Sequence, residues 1–141
     1  MTCSPSNKAL LFWRLLMLLY LTAVLWVCFS KPDSLPTVQQ WNLFIPFDKF
    51  VHFCLFLPFP IVAFFSLNLK RKPTRRSALA ILALLLLGFM LAGLTEFIQG
   101  LTEYRDKDVM DFVADAAGLI ASSCLLALYL LFSGKSQTRS Y

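Results

Sequence analysis

The sequence predicts an all-α membrane protein, a single domain over residues 1–141 built as a bundle of four transmembrane helices with both termini in the cytoplasm. Composition is the first reason. Apolar residues make up 58% of the chain and charged residues 15%, against roughly 45–50% (counted with Gly) and about 25% in soluble domains. Four long apolar stretches are the second. So few polar residues exclude a soluble globular domain, a disordered chain and a disulfide-rich secreted scaffold.

The first predicted span covers residues 9–29. Arg14 interrupts it near one end, where a long side chain can reach the membrane interface. The apolar run is longer than the core of a typical signal peptide, and no A-x-A-like cleavage site follows it. We therefore expect a retained membrane anchor rather than a cleaved signal peptide.

Three further spans are predicted over residues 50–69, 77–99 and 109–132. Each is close to the roughly 20 residues that cross a hydrocarbon core, and none carries a charge at its centre. Pro58 and Pro60 lie inside the second span. Because each proline lacks a backbone N–H, we expect a kink there, with the freed carbonyl groups finding donors on neighbouring helices or in water.

The distribution of Lys and Arg predicts the orientation. With four spans, both termini and the second connection lie on one side, and nine of the 13 Lys and Arg residues fall there. By the positive-inside rule this side is cytoplasmic. All eight acidic residues fall in the outward half, a segregation that topology alone does not require. The nine basic residues are Lys8, Arg14, Lys70, Arg71, Lys72, Arg75, Arg76, Lys135 and Arg139.

The four cysteines show no metal-type spacing, and they lie in or beside the spans. They are best interpreted as small apolar fillers. A disulfide between Cys28 and Cys54, near the outer face, is the alternative.

Polar residues recur just inside the outer ends of three spans. Asp48 and His52 are four residues apart and share a face of the second span, and Glu96 and Gln99, three apart, share a face of the third. Acidic residues recur at spacings of three and four where the fourth span begins. We therefore predict that three helices bring polar groups to one membrane level. The predicted ligand-binding residues are Asp48, Lys49, His52, Glu96, Gln99, Arg105, Asp108, Asp111 and Asp115.

Small residues lie deeper on the same helix faces. Gly88 and Ala92 precede Glu96 at intervals of four, and Gly118 and Ser122 share the face of the acids on the fourth span. Such residues let membrane helices approach closely. We expect the third and fourth spans to pack tightly toward the cytoplasm and to open outward into a polar cleft.

A polar clasp that only holds the bundle together is the alternative to a functional site. Asp115 lies about 9 Å below the start of its helix at 1.5 Å per residue. A carboxylate at that depth needs a partner, such as Lys49, Arg105 or His52, or a proton. Nine converging polar groups favour a functional site, because ionisable residues inside a membrane are costly to keep.

These motifs resemble those of the VanZ-like family of membrane proteins. The segment DKFVH at 48–52 is similar to the family's D-K-x-x-H opening, and Glu96-x-x-Gln99 is similar to its E-x-x-Q. The segment from Arg105 to Gly118 is similar to its R-x-x-D-x-x-D-x6-G run. The motifs occur in the family's order, and together they are specific.

The resemblance covers residues 48–121, roughly half of the chain. It implies a multi-pass protein of the bacterial cytoplasmic (inner) membrane, in a family named for a member that contributes to teicoplanin resistance, and it gives no reaction. Asp115 stands where the family usually has Asn, which leaves the charge balance of the site open.

The first functional hypothesis is a site that binds or handles a cell-envelope component, such as a lipid-linked or cell-wall precursor. Arg105 and Lys49 would hold phosphate or carboxylate groups, and the acids with Gln99 would accept hydrogen bonds from hydroxyl or amide groups. The lipid tail would lie along the Phe-rich second span. The lipid bilayer and this precursor are therefore the expected partners. Nucleic acid is not, because the basic residues form no aromatic-laced face.

The second hypothesis is an enzyme at the same cleft, with His52, Glu96 and Asp111 as candidate catalytic residues. His52 would transfer protons near neutral pH. An oxygen-rich cluster also suits Mg²⁺, Ca²⁺ or Mn²⁺, but the spacings match no metal-ligand motif, so neither a metal nor a cofactor is predicted. The third hypothesis is a membrane scaffold whose acids are solvated. The sequence favours binding over catalysis, and catalysis over a scaffold.

The predicted topology can be tested with reporter fusions. Fusions after Arg76 and after Lys135 should report the cytoplasm, and a fusion near Glu103 should report the outside. A periplasmic signal after Arg76 would contradict the orientation and the outward-facing cleft.

Overall fold

The computed structural model describes residues 7–30, 46–69, 74–102 and 108–135, which form five α-helices with no strand among them. Four segments are long and apolar enough to cross a membrane, and the second of these, Phe47–Ser66, contains two of the helices. The prediction of four apolar spans is confirmed, with boundaries that differ by no more than three residues. The helices are α1 (Asn7–Phe29), α2 (Phe47–Phe56), α3 (Phe59–Ser66), α4 (Thr74–Gln99) and α5 (Val109–Lys135).

The second span breaks between α2 and α3, where its prolines lie. Pro58 precedes α3 and Pro60 occupies its first turn, positions where the missing N–H costs little. Pro58 has helical backbone angles (φ −73°, ψ −21°), so the chain bends without reversing. The Tyr20 hydroxyl of α1 donates to the Leu55 carbonyl oxygen at 2.7 Å, just before the break. A neighbouring helix thus supplies a donor at the predicted kink.

Helix α5 lies at the centre of the bundle and packs against α2, α3 and α4, whereas α1 packs on α3 and, less extensively, on α4. Most of the apolar surface of α1 is exposed, as suits a helix that faces lipid. The apolar core lies among α3, α4 and the middle of α5. Its buried residues are Val24, Cys28, Phe56, Phe59, Val62, Ala63, Phe64, Ile81, Leu84, Ala92, Leu119 and Leu126.

Among the described cysteines, the predicted role of a small apolar filler fits only the buried one. Cys28 is buried in the core, and Cys54 and Cys124 are exposed thiols. No disulfide joins Cys28 to Cys54.

Two glycines allow helices to approach closely, and each does so with a different neighbouring helix. Gly88 of α4 faces the Leu119 side chain of α5, as the predicted packing of the third and fourth spans requires. Gly118 does not take part in that contact. A Cβ there would lie 2.5 Å from the Phe53 carbonyl oxygen and 3.1 Å from the Leu57 nitrogen, both in the second span. The small-residue face of α5 around Gly118 therefore packs on α2, which corrects the expectation that it packs on the third span.

Replacement of Gly118 by Ala should destabilise the bundle. The added methyl group meets backbone atoms, which cannot rotate away, so α2 and α5 must separate; overpacking of this kind costs roughly 1–3 kcal/mol. Gly93→Ala is the matched control, because its Cβ would have only an ordinary 3.8 Å contact with Phe112. Thermal unfolding in detergent should show a lower Tm for Gly118→Ala and an unchanged or higher Tm for Gly93→Ala. Equal shifts would contradict the close approach.

Candidate functional site

The predicted polar residues of three helices meet at one end of the bundle. Helices α2 and α5 begin at this end and α4 ends there. His52, Glu96, Asp111 and Asp115 are 4%, 5%, 6% and 0% exposed, so the cluster is buried between the helices. Since all four side chains can carry charge, each needs a partner inside the cluster.

Lys49 holds the outer part of the cluster together. Its ammonium group donates hydrogen bonds to Asp108 Oδ2 and Asp111 Oδ1, and it lies 3.5 Å from Asp48 Oδ2. The Lys49 side chain is 17% exposed, Asp111 8%, Asp108 44% and Asp48 56%. Lys49 therefore joins the first turn of α2 to the beginning of α5 at a half-buried rim.

Asp108 has two roles at the start of α5. Its Oδ1 accepts a hydrogen bond from the Met110 backbone N–H at 2.8 Å, which caps one of the free donors of the first turn. Its Oδ2 binds Lys49. The hydrogen bond from Lys49, followed by that from Met110, lowers the pKa of the Asp108 carboxyl from its ordinary value of 3.8.

The His52 ring lies between two carboxylates of α5. Its Nδ1 is 3.0 Å from Asp115 Oδ1, at hydrogen-bond distance, and its Nε2 is 3.6 Å from Asp111 Oδ2. The two acids are four residues apart, so they stand one above the other on the face that α5 turns toward α2. A neutral imidazole has one N–H, so it can donate to only one of these carboxylates.

Glu96 and Asp115 form the inner part of the cluster with His52. Each of these three residues places one ligand-type atom within 4.8 Å of the others. Among the described residues, neither Glu96 Oε1 nor Asp115 Oδ2 has a hydrogen-bond partner, although both atoms are buried. A second group, formed by Asp48, His52 and Asp111, meets the same distance criterion nearer to the rim. His52 belongs to both groups.

Two predicted site residues remain, Gln99 and Arg105. The Gln99 amide Nε2 donates to the Cys28 carbonyl oxygen at 2.9 Å, so it binds the end of α1. Gln99 is 2% exposed, and its amide holds two helices together. Arg105 lies outside the described residues.

Three buried hydroxyl residues of α4 and α5 were not predicted as site residues, although Ser122 was predicted as a small residue on the face of the acids. Thr95 of α4 donates to the Ala92 carbonyl oxygen at 2.8 Å, within its own helix. Ser122 and Ser123 of α5 are buried, and within the described ranges their hydroxyl oxygens have no hydrogen-bond partner. The sequence feature that could have identified Ser122 is its position, seven residues after Asp115 on the same helix face.

Among the described residues, the carboxyl groups of the cluster outnumber its basic side chains. Within the part of the chain that the structure describes, Lys49 is the one Lys or Arg in ion-pair contact with these acids. The site is therefore rich in acceptors and short of positive charge, and it suits groups that donate hydrogen bonds or carry positive charge. Its five carboxylates belong to Asp48, Glu96, Asp108, Asp111 and Asp115.

Comparisons of the chain with protein-family models, with curated proteins and with solved structures gave no match. The geometry of the cluster is therefore the basis for a functional proposal.

The ion pair between Lys49 and Asp108 should make stability depend on pH. Asp108→Asn removes the charge and keeps the cap, because Asn and Asp cap helices equally well. The pKa of Asp108 in the folded protein lies below its ordinary value of 3.8. The ion pair therefore stabilises the fold fully above pH 3.8, and its contribution is lost as the pH falls through the folded pKa. Asp108→Asn should therefore lower the Tm at neutral pH, and its difference from the wild type should shrink below pH 3.8.

Asp48→Asn is the matched control for this measurement. Asp48 is more exposed and lies 3.5 Å from the same ammonium group, so its pair should contribute little. A Tm difference for Asp108→Asn that does not change with pH would contradict the role of its charge.

Proposed function

We propose that the chain is a VanZ-like protein of the bacterial cytoplasmic membrane whose polar cluster binds or handles a cell-envelope component, such as a lipid-linked or cell-wall precursor. One observation carries the proposal. Residues of motifs that lie about sixty positions apart in the sequence are in contact: Lys49 binds Asp108 and Asp111, and His52 binds Asp115. Ionisable groups that converge inside a membrane bundle are best explained by function. A link to teicoplanin resistance or envelope stress belongs to the same proposal.

The proposed orientation places the cluster at the outer face. Lys8, Arg75 and Arg76 lie at the opposite end of the bundle, in the first turns of α1 and α4, and Arg14 lies about two turns into α1. By the positive-inside rule that end faces the cytoplasm. The polar cluster would then lie on the side of the membrane that faces the cell envelope.

The charges of the cluster favour a head group rich in hydrogen-bond donors. The Lys49 ammonium already binds carboxylates, so it is a poor site for a phosphate, and the acids would repel one. Glu96 Oε1 and Asp115 Oδ2 are acceptors without a partner among the described residues. Hydroxyl, amide or ammonium groups, as in an amino sugar or a peptide, complement them. We therefore propose a head group with hydrogen-bond donors in place of the expected anionic group bound by Lys49.

Only part of the Phe-rich span is available for a lipid tail. Phe56, Phe59 and Phe64 are buried in the apolar core. Phe50, next to Lys49 in sequence, is 49% exposed, and Met110 at the start of α5 is 58% exposed. A tail whose head group enters between α2 and α5 would lie against this exposed surface.

Binding to defined lipids in nanodiscs tests the proposal. A polyprenyl pyrophosphate that carries an amino sugar and a peptide should bind more tightly than polyprenyl pyrophosphate itself, which has the same phosphates and no sugar or peptide. Glu96→Gln should weaken binding of the first lipid by about tenfold or more, because a hydrogen bond to a charged group contributes roughly 1.5–3 kcal/mol. Ser123→Ala, a buried polar residue deeper in α5, is the control and should bind as the wild type does. Equal affinity for both lipids would contradict the recognition of a head group.

Catalysis at the same site is the second candidate function. The observation that favours it is the His52 ring, which has a carboxylate at each nitrogen. A histidine oriented by a carboxylate is the usual arrangement of a general base. Incubation of the same lipid with the protein would give a changed product if the cluster is an enzyme, and only a bound complex if it is not.

A further inference from the structure

We propose that His52, Glu96 and Asp115 form a binding site for one divalent transition-metal cation, of the Zn²⁺ or Mn²⁺ type. The three residues come from α2, α4 and α5, so a bound ion would join three helices at the depth of Asp115. The site shares Glu96 and Asp115 with the proposed head-group site, but the proposal concerns the protein without any lipid ligand.

The geometry of the three side chains suits a shared ion. Their ligand-type atoms lie within 4.8 Å of one another, and all three residues are buried. Zinc binds nitrogen and oxygen at about 2.0–2.2 Å, which places its ligand atoms within roughly 4 Å of one another. Small movements of the side chains would therefore complete the site.

Two buried oxygens point to a missing partner. Glu96 is 5% and Asp115 0% exposed, and within the described residues Glu96 Oε1 and Asp115 Oδ2 accept no hydrogen bond. A carboxylate oxygen in such a place is costly unless a donor or a cation reaches it. One ion bound by both carboxylates would satisfy both oxygens.

The distribution of positive charge separates the inner group from the outer one. Asp48 and Asp111 of the outer group already have Lys49 beside them. Glu96 and Asp115 have no Lys or Arg in ion-pair contact among the described residues, and the titratable side chains near both of them are those of His52 and Asp111. Within the described ranges, the inner group is therefore the one without a Lys or Arg partner.

The surroundings of His52 fit the role of a ligand. Metal-bound histidines almost always donate their second ring N–H to a carboxylate, a carbonyl or a water. With Nδ1 directed at the ion, Nε2–H would face Asp111 Oδ2, which lies 3.6 Å away. One imidazole and two carboxylates form a mixed nitrogen and oxygen set, which suits Zn²⁺ or Mn²⁺ better than Mg²⁺ or Ca²⁺.

Titration of the tag-free, chelator-treated protein in detergent with Zn²⁺ alone, and with Mn²⁺ alone, tests the proposal. Calorimetry should show one ion bound per chain, and the ion should raise the Tm. Glu96→Gln and Asp115→Asn should each weaken binding by about 100-fold or more, because even the loss of an outer partner typically costs 10–100-fold. Both variants keep the size of the side chain, and the Tm without metal shows that each is folded.

Two further variants make the outcome decisive. Ser123→Ala should bind the ion within about twofold of the wild type, as a buried polar residue of α5 outside the group. If Asp48→Asn abolishes binding and Glu96→Gln does not, the ion occupies the outer group and the proposal is wrong. If the wild type binds neither ion, the proposal is also wrong. A higher Tm for Glu96→Gln would then indicate that the two carboxylates share a proton instead. None of these outcomes depends on binding of a lipid head group.

Discussion

The Lys49 ammonium group is the constraint on which the polar end of the bundle depends. It binds Asp108 and Asp111 and so joins α2 to α5. Asp111 is buried, and removal of one partner from a buried ion pair typically costs about 3–5 kcal/mol, because the other charge is left uncompensated. The pair forms only if the two helices lie close together. Gly118 permits this approach by leaving room for the Phe53 backbone. Charge pairing and backbone contact therefore support each other along one helix interface.

Features with a local cause could be predicted from the sequence. The length of the apolar stretches predicts the spans, and Pro58 and Pro60 predict the break between α2 and α3. The spacing of the acids predicts their shared face on α5. The choice of neighbouring helix is not local. The sequence predicts Gly118 against the third span, whereas it lies on α2, and it gives no sign that the Gln99 amide nitrogen binds the end of α1. In lipid, apolar helix faces are nearly interchangeable, so a few polar and small residues decide the arrangement.

The position of Gln99 has its own physical reason. The last four carbonyls of a helix have no partner within it, and Cys28 lies in the last turn of α1. The Gln99 amide donates to the Cys28 carbonyl at 2.9 Å, and the Tyr20 hydroxyl donates to the Leu55 carbonyl at 2.7 Å. Both bonds supply a donor to a backbone oxygen where water is scarce. They fix α1 to a bundle that it otherwise contacts through few buried side chains.

His52 connects the rim, where Lys49 pairs with the acids, to the interior, where no Lys or Arg of the described residues does. Among these residues it alone belongs to both groups of acids. A neutral ring can donate from one nitrogen only. With the proton on Nδ1 it satisfies Asp115, and Lys49 can serve Asp111. With the proton on Nε2, the ring N–H faces Asp111, and Glu96 and Asp115 then need another positively charged partner. Any ligand that draws Lys49 away from Asp111 favours this second state. If the interior binds the proposed cation, its affinity would depend on events at the rim through the tautomer of one imidazole.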